Sequence, residues 1–404
     1  MEKNKTQLSR RDLLRGTAQM GLGSMLVPLT GFSPSRQNNE SHAATGDLRP
    51  SELFAAAVVY TPSVIYATEG VETNIYFDNV IFSNLPNAML SVDIVCKKGR
   101  QYEKFWRITP TAEDTGETTF TLEVRFDGKL LASKTSQLIV SDKETAKGKS
   151  IKVLCIGDST TAGGQYVKII NTDYQSLASP AMTFLGTRGS APDRHEGRGG
   201  WKFSQYAGDG GKTAKSPNPF WNLETKQLDF RNYLADNGYT LSSDDLITVH
   251  LGINDVFNGV SEDKLASIKA DFDKLVSLFR AVVPGITIGL CLTIPPSISQ
   301  DAFAISYSTG QTLNGYMENY KQLVMFLLTH YDTPQMRAAK LYCIGFNHSI
   351  DRTHNFNKSV MPANARNPTP IDTWKNGVHP DASGYYQMGD ALYAFIRYSA
   401  MSRQ

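Results

Sequence analysis

A series of five short apolar runs, from Ile151 onward, constrains the fold of this chain more than any other feature. The runs read IKVLCIG, AMTFLG, DLITVHLG, ITIGLCLTI and KLYCIGF, as expected of parallel strands that are buried on both faces. Helical patterns separate them, with apolar residues every three or four positions. One such pattern comprises Leu265, Ile268, Phe272, Leu275, Phe279 and Val282. Strands that alternate with helices predict an α/β fold with a doubly wound parallel sheet, whose active site belongs at the carboxyl ends of the strands.

Residues 51–141 follow a different pattern, in which apolar residues occupy every second position. The clearest examples are Leu90, Val92, Ile94 and Cys96, and then Phe120, Leu122, Val124 and Phe126. The second of these runs ends at Asp127-Gly128-Lys129, which is a hairpin-turn signal. The pattern predicts a smaller β-sandwich domain, immunoglobulin-like in type. We expect it to brace its neighbour, and the alternative is that it binds glycan. A polar stretch, SDKETAKGKS, reads as a linker, and the α/β domain is predicted to span residues 150–402.

The first 43 residues predict export. Arg10 and Arg11 precede a mildly apolar stretch that glycines and a proline interrupt, and this stretch is too short for a stable membrane span. It resembles a twin-arginine export signal with cleavage near Ala43, which predicts a periplasmic or extracellular protein. The alternative is a disordered cytoplasmic arm with chance arginines. The formal net charge is +2, and nothing electrostatic in the remainder of the chain points to nucleic acid.

Two polar residues directly follow predicted strands, at positions where catalytic residues are common in α/β folds. Ser159 comes directly after the first run, which is the topological position of a nucleophile, although a serine there is also a common helix cap. Asn254 follows the third run. Its amide can donate to an oxyanion that forms near Ser159, or it can belong to an ordinary Asn/Asp turn.

A third segment, HEGRGGW, follows the second run. Gly197, Gly199 and Gly200 allow backbone N–H groups to approach a substrate closely, whereas the alternative is a loop with no role. The segment lacks the second histidine of a zinc-binding H-E-x-x-H motif, because position 199 is glycine. No motif in the chain calls for a metal or an organic cofactor.

Four short blocks, in order, resemble the SGNH hydrolase (GDSL-like) pattern. They are GDST around Ser159, GRGGW, GIND around Asn254, and NGVHP around His379. The resemblance covers residues 150–402 and implies a three-layer α/β/α, flavodoxin-like sheet with a serine esterase site. It further implies that Ser159 is the nucleophile and His379 the general base. The oxyanion hole would comprise the backbone N–H of Ser159, Gly200 and the side chain of Asn254.

The chain departs from that pattern at Asn376, because the last block of the family is Asp-x-x-His. An amide oxygen can accept a hydrogen bond from the imidazole Nδ1–H, but it supplies no negative charge to the imidazolium. Either Asn376 or a backbone carbonyl orients His379, or another carboxylate, Asp372 or Asp381, takes this place, or the site is inactive. Asp381 also fits as the cap of a helix that begins near Ala382.

These features predict an exported carbohydrate esterase that removes acetyl groups from plant or microbial polysaccharide through an acyl-enzyme on Ser159. HEGRGGW is similar to the second block of SGNH esterases of the acetylxylan-esterase type. Trp201, Trp221 and Trp374 are candidate faces for stacking on sugars, and burial in the core is the equal alternative. The alternatives are a lipase or thioesterase for longer acyl chains, and a carbohydrate-binding protein without activity. The sequence leaves the oligomeric state open.

Overall fold

The computed structural model describes residues 56–175, 180–210, 217–306 and 311–402. The predicted export signal, residues 1–43, lies outside the described residues. Within the described ranges, no helix combines the length and the apolar character that crossing a membrane requires.

The N-terminal region is built mostly of strands in several sheets. Its strands are β1 (Ala57–Val59), β2 (Val64–Thr68), β3 (Thr73–Tyr76), β4 (Ile81–Ser83), β5 (Ser91–Val95), β6 (Arg100–Gln101), β7 (Phe105–Ile108), β8 (Gly116–Phe126) and β9 (Lys129–Ser141). They form a four-stranded sheet β2-β9-β8-β5, a three-stranded sheet β3-β7-β6 and a pair β1-β4. Asp127 and Gly128, both with positive φ, form the predicted hairpin between β8 and β9. Alternate residues of β8, such as Phe120 and Leu122, face a shared core around Trp106.

The second region contains the predicted parallel sheet. Its strands are β10 (Ser150–Gly157), β11 (Ala181–Leu185), β12 (Glu196–Gly197), β15 (Leu246–His250), β16 (Thr287–Cys291) and β17 (Leu341–Ile344), and a separate short hairpin comprises β13 (Trp221–Asn222) and β14 (Gln227–Leu228). The strand order is β11-β10-β15-β16-β17, all parallel, with β12 beside the carboxyl end of β10. This is the flavodoxin-like order, in which the chain reverses direction across the sheet between β10 and β15. Ligands of such sheets bind at this switch point, and the segments that follow β10 and β15 contain Ser159 and Asn254.

Helices cover both faces of this sheet. In the described part of the chain the helices are Phe77–Val80, Ser159–Ala162, Gln165–Ile169, Phe203–Tyr206, Phe230–Asp236, Ile253–Val256, Glu262–Val282, Asp301–Ser306, Leu313–Tyr331, Pro334–Ala338, Phe346–Ser349 and Ala382–Met401, with short 3₁₀ or π turns at Asn87–Met89, Ala112–Asp114 and Ile170–Tyr174. Val153 and Cys155 of β10 pack into the core that contains the last helix. Leu154 and Ile156 pack into the core on the opposite face, with the helix Glu262–Val282. The three-layer α/β/α architecture is therefore confirmed.

A hairpin that the sequence analysis did not predict lies immediately before the candidate base. It consists of β18 (Lys358–Asn364) and β19 (Asn367–Trp374), which pair only with each other. Most of its residues are exposed, which agrees with the weak apolar pattern of this segment. Cys155, Cys291 and Cys343 are free thiols, and all three are buried.

The strand region packs against the α/β region within one compact unit. The Asn79 side chain donates from Nδ2 to the carbonyl oxygen of Ile350 over 2.8 Å. Arg352, also buried, donates from Nε to the carbonyl oxygen of Pro296 over 2.6 Å. The next residue, Ser297, donates its backbone N–H to the carbonyl oxygen of Gly377. These contacts extend from the short helix Phe77–Val80 of the N-terminal region to the turn before His379, while the bracing role and the domain boundaries stay predictions.

Candidate active site

Ser159 lies at the first position of a helix that begins where β10 ends. Asp158, not Ser159, is the helix cap, because its carboxylate Oδ1 accepts from the backbone N–H of Thr160 over 2.9 Å. The Thr160 hydroxyl also donates to this oxygen and contacts Nδ1 of the buried His250. Burial raises the pKa of Asp158 to about 6. Since a neighbour caps the helix, the hydroxyl of Ser159 is left for another partner.

That partner is His379. The distance between Nε2 of His379 and Oγ of Ser159 is 2.8 Å. On the other side of the ring, Nδ1 lies 3.1 Å from Oδ1 of Asn376. The same amide oxygen accepts from the backbone N–H groups of Val378 and His379, each over 2.9 Å. These two backbone donors fix the orientation of the amide, so Nδ1 must donate to it and Nε2 is left to accept from Ser159.

Burial is the cause of the change in the basicity of His379. It lowers the pKa of the imidazole below its usual value near 6.5. No carboxylate counteracts this effect, because the orienting group is an amide. The imidazole is therefore neutral at neutral pH, as required of a group that accepts a proton from a serine hydroxyl.

The two alternative carboxylates lie elsewhere. Asp381 caps the last helix, where its Oδ1 accepts from the backbone N–H of Gly384 over 3.1 Å. Asp372 lies on the exposed strand β19, opposite Val360. Among the described residues, Asn376 is the side chain that contacts Nδ1 of His379. The physical reason is chain geometry: the tight turn from Asn376 folds its side chain back onto the imidazole three residues later.

The glycines of HEGRGGW form a tight turn beside Ser159. The backbone N–H of Trp201 donates to the carbonyl oxygen of Arg198 over 3.2 Å. Gly200 occupies the third position of this turn with φ of +79°, which a residue with a side chain rarely adopts. A Cβ atom built on Gly199 would lie 3.9 Å from Cβ of Ser159. We call residues 198–201 the glycine turn.

Asn254 contacts this turn from the short helix Ile253–Val256, which follows β15. Its Nδ2 donates to the carbonyl oxygen of Trp201 over 3.0 Å, which uses one of the two amide hydrogens. The next residue, Asp255, is buried and accepts from the backbone N–H of Phe203 over 3.2 Å, and burial raises its pKa to about 7. Gly252 allows this short helix to approach the sheet, because a Cβ there would lie 2.6 Å from Thr293 Oγ1. The structure thus brings Ser159, the glycine turn, Asn254 and His379 to one edge of the sheet.

A buried ion pair under the glycine turn was missed by the sequence analysis. Arg198 Nη1 lies 2.5 Å from Oε2 of Glu196, and both side chains are almost entirely buried. Burial opposes the charged guanidinium and Glu196 favours it, and the net result is a raised pKa of Arg198. The sequence does contain the two charged residues, alternating with three glycines. This pattern does not reveal that both side chains point into the protein interior.

Two further expectations concern sugars and metals. Trp201 is buried against Tyr206, with ring centroids 4.7 Å apart, so it offers no open face to a sugar and is a core residue, the second of the two roles expected for it. Trp221 and Trp374 are half-buried. Across the described ranges, no group of three or more histidine, cysteine, aspartate or glutamate residues could hold a metal ion.

The sequence model of the GDSL-like Lipase/Acylhydrolase family matches residues 155–386. No protein in the curated comparison matches. Among solved structures, a carbohydrate acetylesterase from Sinorhizobium meliloti is 13% identical, with a TM-score of 0.34, over 60% of this chain and 96% of that one. The lipase/acylhydrolase from Enterococcus faecalis is 14% identical, with a TM-score of 0.35, over 61% of this chain and 96% of that one. Because the family match covers more than half of the sequence, the chain belongs to the GDSL-like lipase/acylhydrolase family, whose enzymes hydrolyse carboxylic esters.

Proposed function

We propose that this acylhydrolase is an exported serine esterase that removes acetyl or other short acyl groups from polysaccharide. The observation that carries the catalytic part is the hydrogen-bonded chain from Ser159 Oγ through His379 to the amide oxygen of Asn376. A serine hydroxyl is a weak nucleophile at its free pKa, and a neutral imidazole within hydrogen-bond reach is the usual means of activating it.

In the proposed reaction, Ser159 Oγ attacks the ester carbonyl carbon while its proton passes to Nε2 of His379. The carbonyl oxygen becomes an oxyanion, which the backbone N–H groups of Ser159 and Gly200 and the second amide hydrogen of Asn254 stabilise. The imidazolium then donates its proton to the departing sugar oxygen, which leaves an acyl group on Ser159. Water then attacks the acyl carbon while Nε2 of His379 accepts its proton. The bond from this carbon to Ser159 Oγ breaks, Oγ takes the proton back from Nε2, and the acid leaves.

Asn376 has a limited role in this scheme. Its oxygen holds the Nδ1 proton in place, so the tautomer with a free Nε2 is the one present. As an amide it gives no charge stabilisation to the imidazolium that forms on proton transfer. We therefore expect Asn376 to orient His379 without stabilising its charged form, so that His379 is less basic than a histidine beside a carboxylate.

The rate is expected to depend on pH through His379. Because burial lowers its pKa, kcat/KM should fall on acidification only below the usual histidine value of about 6.5 and stay level through neutral pH. Asn376→Asp places a carboxylate beside the imidazolium and should move this acid limb upward by about one pH unit or more. The measurement is a pH profile of kcat/KM on a neutral aryl acetate.

Asp372→Asn is the matched control for that profile. Asp372 lies on the exposed strand β19, away from the imidazole, so its removal should leave the acid limb in place. An acid limb that moves with Asp372 and not with Asn376 would show that the orienting group has been misassigned.

The substrate part of the proposal is supported by the sequence HEGRGGW, which resembles the second block of acetylxylan-esterase-type enzymes. The test is acetate release from acetylated xylan by the purified protein, with Ser159→Ala as control. Aryl esters of increasing chain length are measured in parallel. Acetate release and a decline of kcat/KM from acetate to palmitate are expected. A preference for long chains would instead favour a lipase.

Export is supported by Arg10 and Arg11 before the interrupted apolar stretch. A folded reporter fused behind residues 1–43 should reach the periplasm, and the double variant Arg10→Lys with Arg11→Lys should retain it in the cytoplasm. Equal export of both fusions would remove the twin-arginine route from the proposal.

A further inference from the structure

We infer that Glu196 and Arg198 are positioning residues which hold the glycine turn, and through it the oxyanion donors, in the geometry needed for catalysis. This inference rests on the esterase function proposed above. It assigns a role to two residues that neither accept a proton nor lie at the reacting atoms.

Four hydrogen bonds are donated to the carboxylate of Glu196. Its Oε1 accepts from the Tyr233 hydroxyl over 2.7 Å and from the backbone N–H of Thr187 over 2.6 Å. Its Oε2 accepts from Arg198 Nη1 over 2.5 Å and from the Thr187 hydroxyl over 3.1 Å. A fully buried carboxylate with all of its lone pairs engaged in this way has one orientation. It is therefore a fixed anchor for whatever binds to it.

Arg198 connects this anchor to the glycine turn. Its guanidinium contacts Glu196, and it lies over the ring of Trp201 at 5.2 Å from the centroid. Its backbone N–H donates to the carbonyl oxygen of Gly157 over 2.9 Å, two residues before Ser159. Arg198, the first residue of the turn, thus packs on Trp201, the last residue of the turn. Its backbone is also hydrogen-bonded to β10, the strand that precedes Ser159.

Asn254 fixes the turn from the opposite side, through the carbonyl oxygen of Trp201. The backbone N–H of Gly200 and the amide of Asn254 consequently depend on the same short segment for their positions. Oxyanion donors are effective only when they are held in place before the charge develops. A displacement of about 1 Å at such a site can reduce the rate by about 100-fold.

Stability alone does not account for this ion pair. Burying two charges carries a large desolvation penalty, and well-packed apolar residues in the same place are often equal or better for stability. What an ion pair supplies, and apolar packing does not, is a single orientation. That property is the one a turn beside a nucleophile requires.

The test is the steady-state kinetics of Glu196→Gln on an aryl acetate. The substitution keeps the shape of the side chain and removes the charge that holds Arg198. We expect kcat to fall about 10- to 100-fold while KM stays within about two-fold, because the turn contributes in the transition state. Asp332→Asn is the matched control, since it neutralises the largely buried partner of Arg337. It should change kcat by no more than about two-fold.

A double-variant cycle separates positioning from general damage. In an Asn254→Ala background, Glu196→Gln should cost at least three-fold less than in the native protein, because part of its effect passes through Asn254. Equal losses in both backgrounds, or a native kcat in the single variant, would overturn the inference.

If Glu196→Gln does not fold, Tyr233→Phe removes one donor to Oε1 and should lower kcat by a few-fold, with its thermal midpoint showing that it is folded. Loss of activity in Ser159→Ala is measured alongside, so a failure of the esterase proposal is distinguished from a failure of the positioning role.

Discussion

Ser159→Ala and His379→Ala are each expected to lower kcat for an aryl acetate by about 10⁴-fold or more. The two residues act as one unit, since the 2.8 Å contact joins the nucleophile to its base. The double variant should therefore be no worse than either single variant, because residues that act together are strongly non-additive. Both side chains are only half-buried, so the thermal midpoint should change little.

His354→Ala is the control for this comparison. His354 is exposed and pairs with Asp351, so its removal leaves the proposed site intact and kcat close to native. A folded Ser159→Ala protein with native kcat would mean that the measured hydrolysis occurs elsewhere. Additive losses in the double variant would mean that the two residues serve different steps.

Asn254→Ala is expected to lower kcat by about 10²- to 10³-fold, the usual cost of removing one oxyanion donor. KM should change by no more than a few-fold, because the donor interacts more strongly with the charged intermediate than with the ester. The loss has two sources in this structure. The substitution removes the amide hydrogen proposed for the oxyanion, and it also releases the carbonyl oxygen of Trp201 that anchors the glycine turn.

Asn319→Ala is a matched control, because this half-buried amide also donates to a single carbonyl oxygen, that of Val256. It should leave kcat within about two-fold of native, since the amide has no access to the ester. If Asn254→Ala raised KM with kcat unchanged, the amide would be a substrate-binding group and not part of an oxyanion hole.

Much of the site could be predicted because it depends on topology. Ser159 and Asn254 follow strands whose apolar runs are unmistakable, and in a parallel sheet the carboxyl ends of neighbouring strands meet at one edge. The order β11-β10-β15 then places the two segments at the switch point. The predicted fold class needed nothing beyond hydrophobic periodicity and the four short blocks.

The remaining features depend on contacts that no local pattern records. Whether Asn376, Asp372 or Asp381 faces His379 is decided by the path of one turn, and all three are polar residues close together in the chain. The inward direction of Glu196 and Arg198 is equally hidden, because alternating charges usually indicate an exposed segment. The burial of Trp201 is hidden for the same reason: a tryptophan after glycines fits a surface loop as well as a core.

Whether His379 activates Ser159 as a nucleophile is tested by the reaction of the purified protein with a fluorophosphonate, followed by mass spectrometry of its peptides. These reagents phosphonylate a serine only when a base activates it and an oxyanion hole receives the phosphoryl oxygen. We predict one adduct, on Ser159, that disappears in His379→Ala and forms more slowly in Asn254→Ala. If the well-folded native protein remains unlabelled at Ser159, then Ser159 is not the activated nucleophile proposed here.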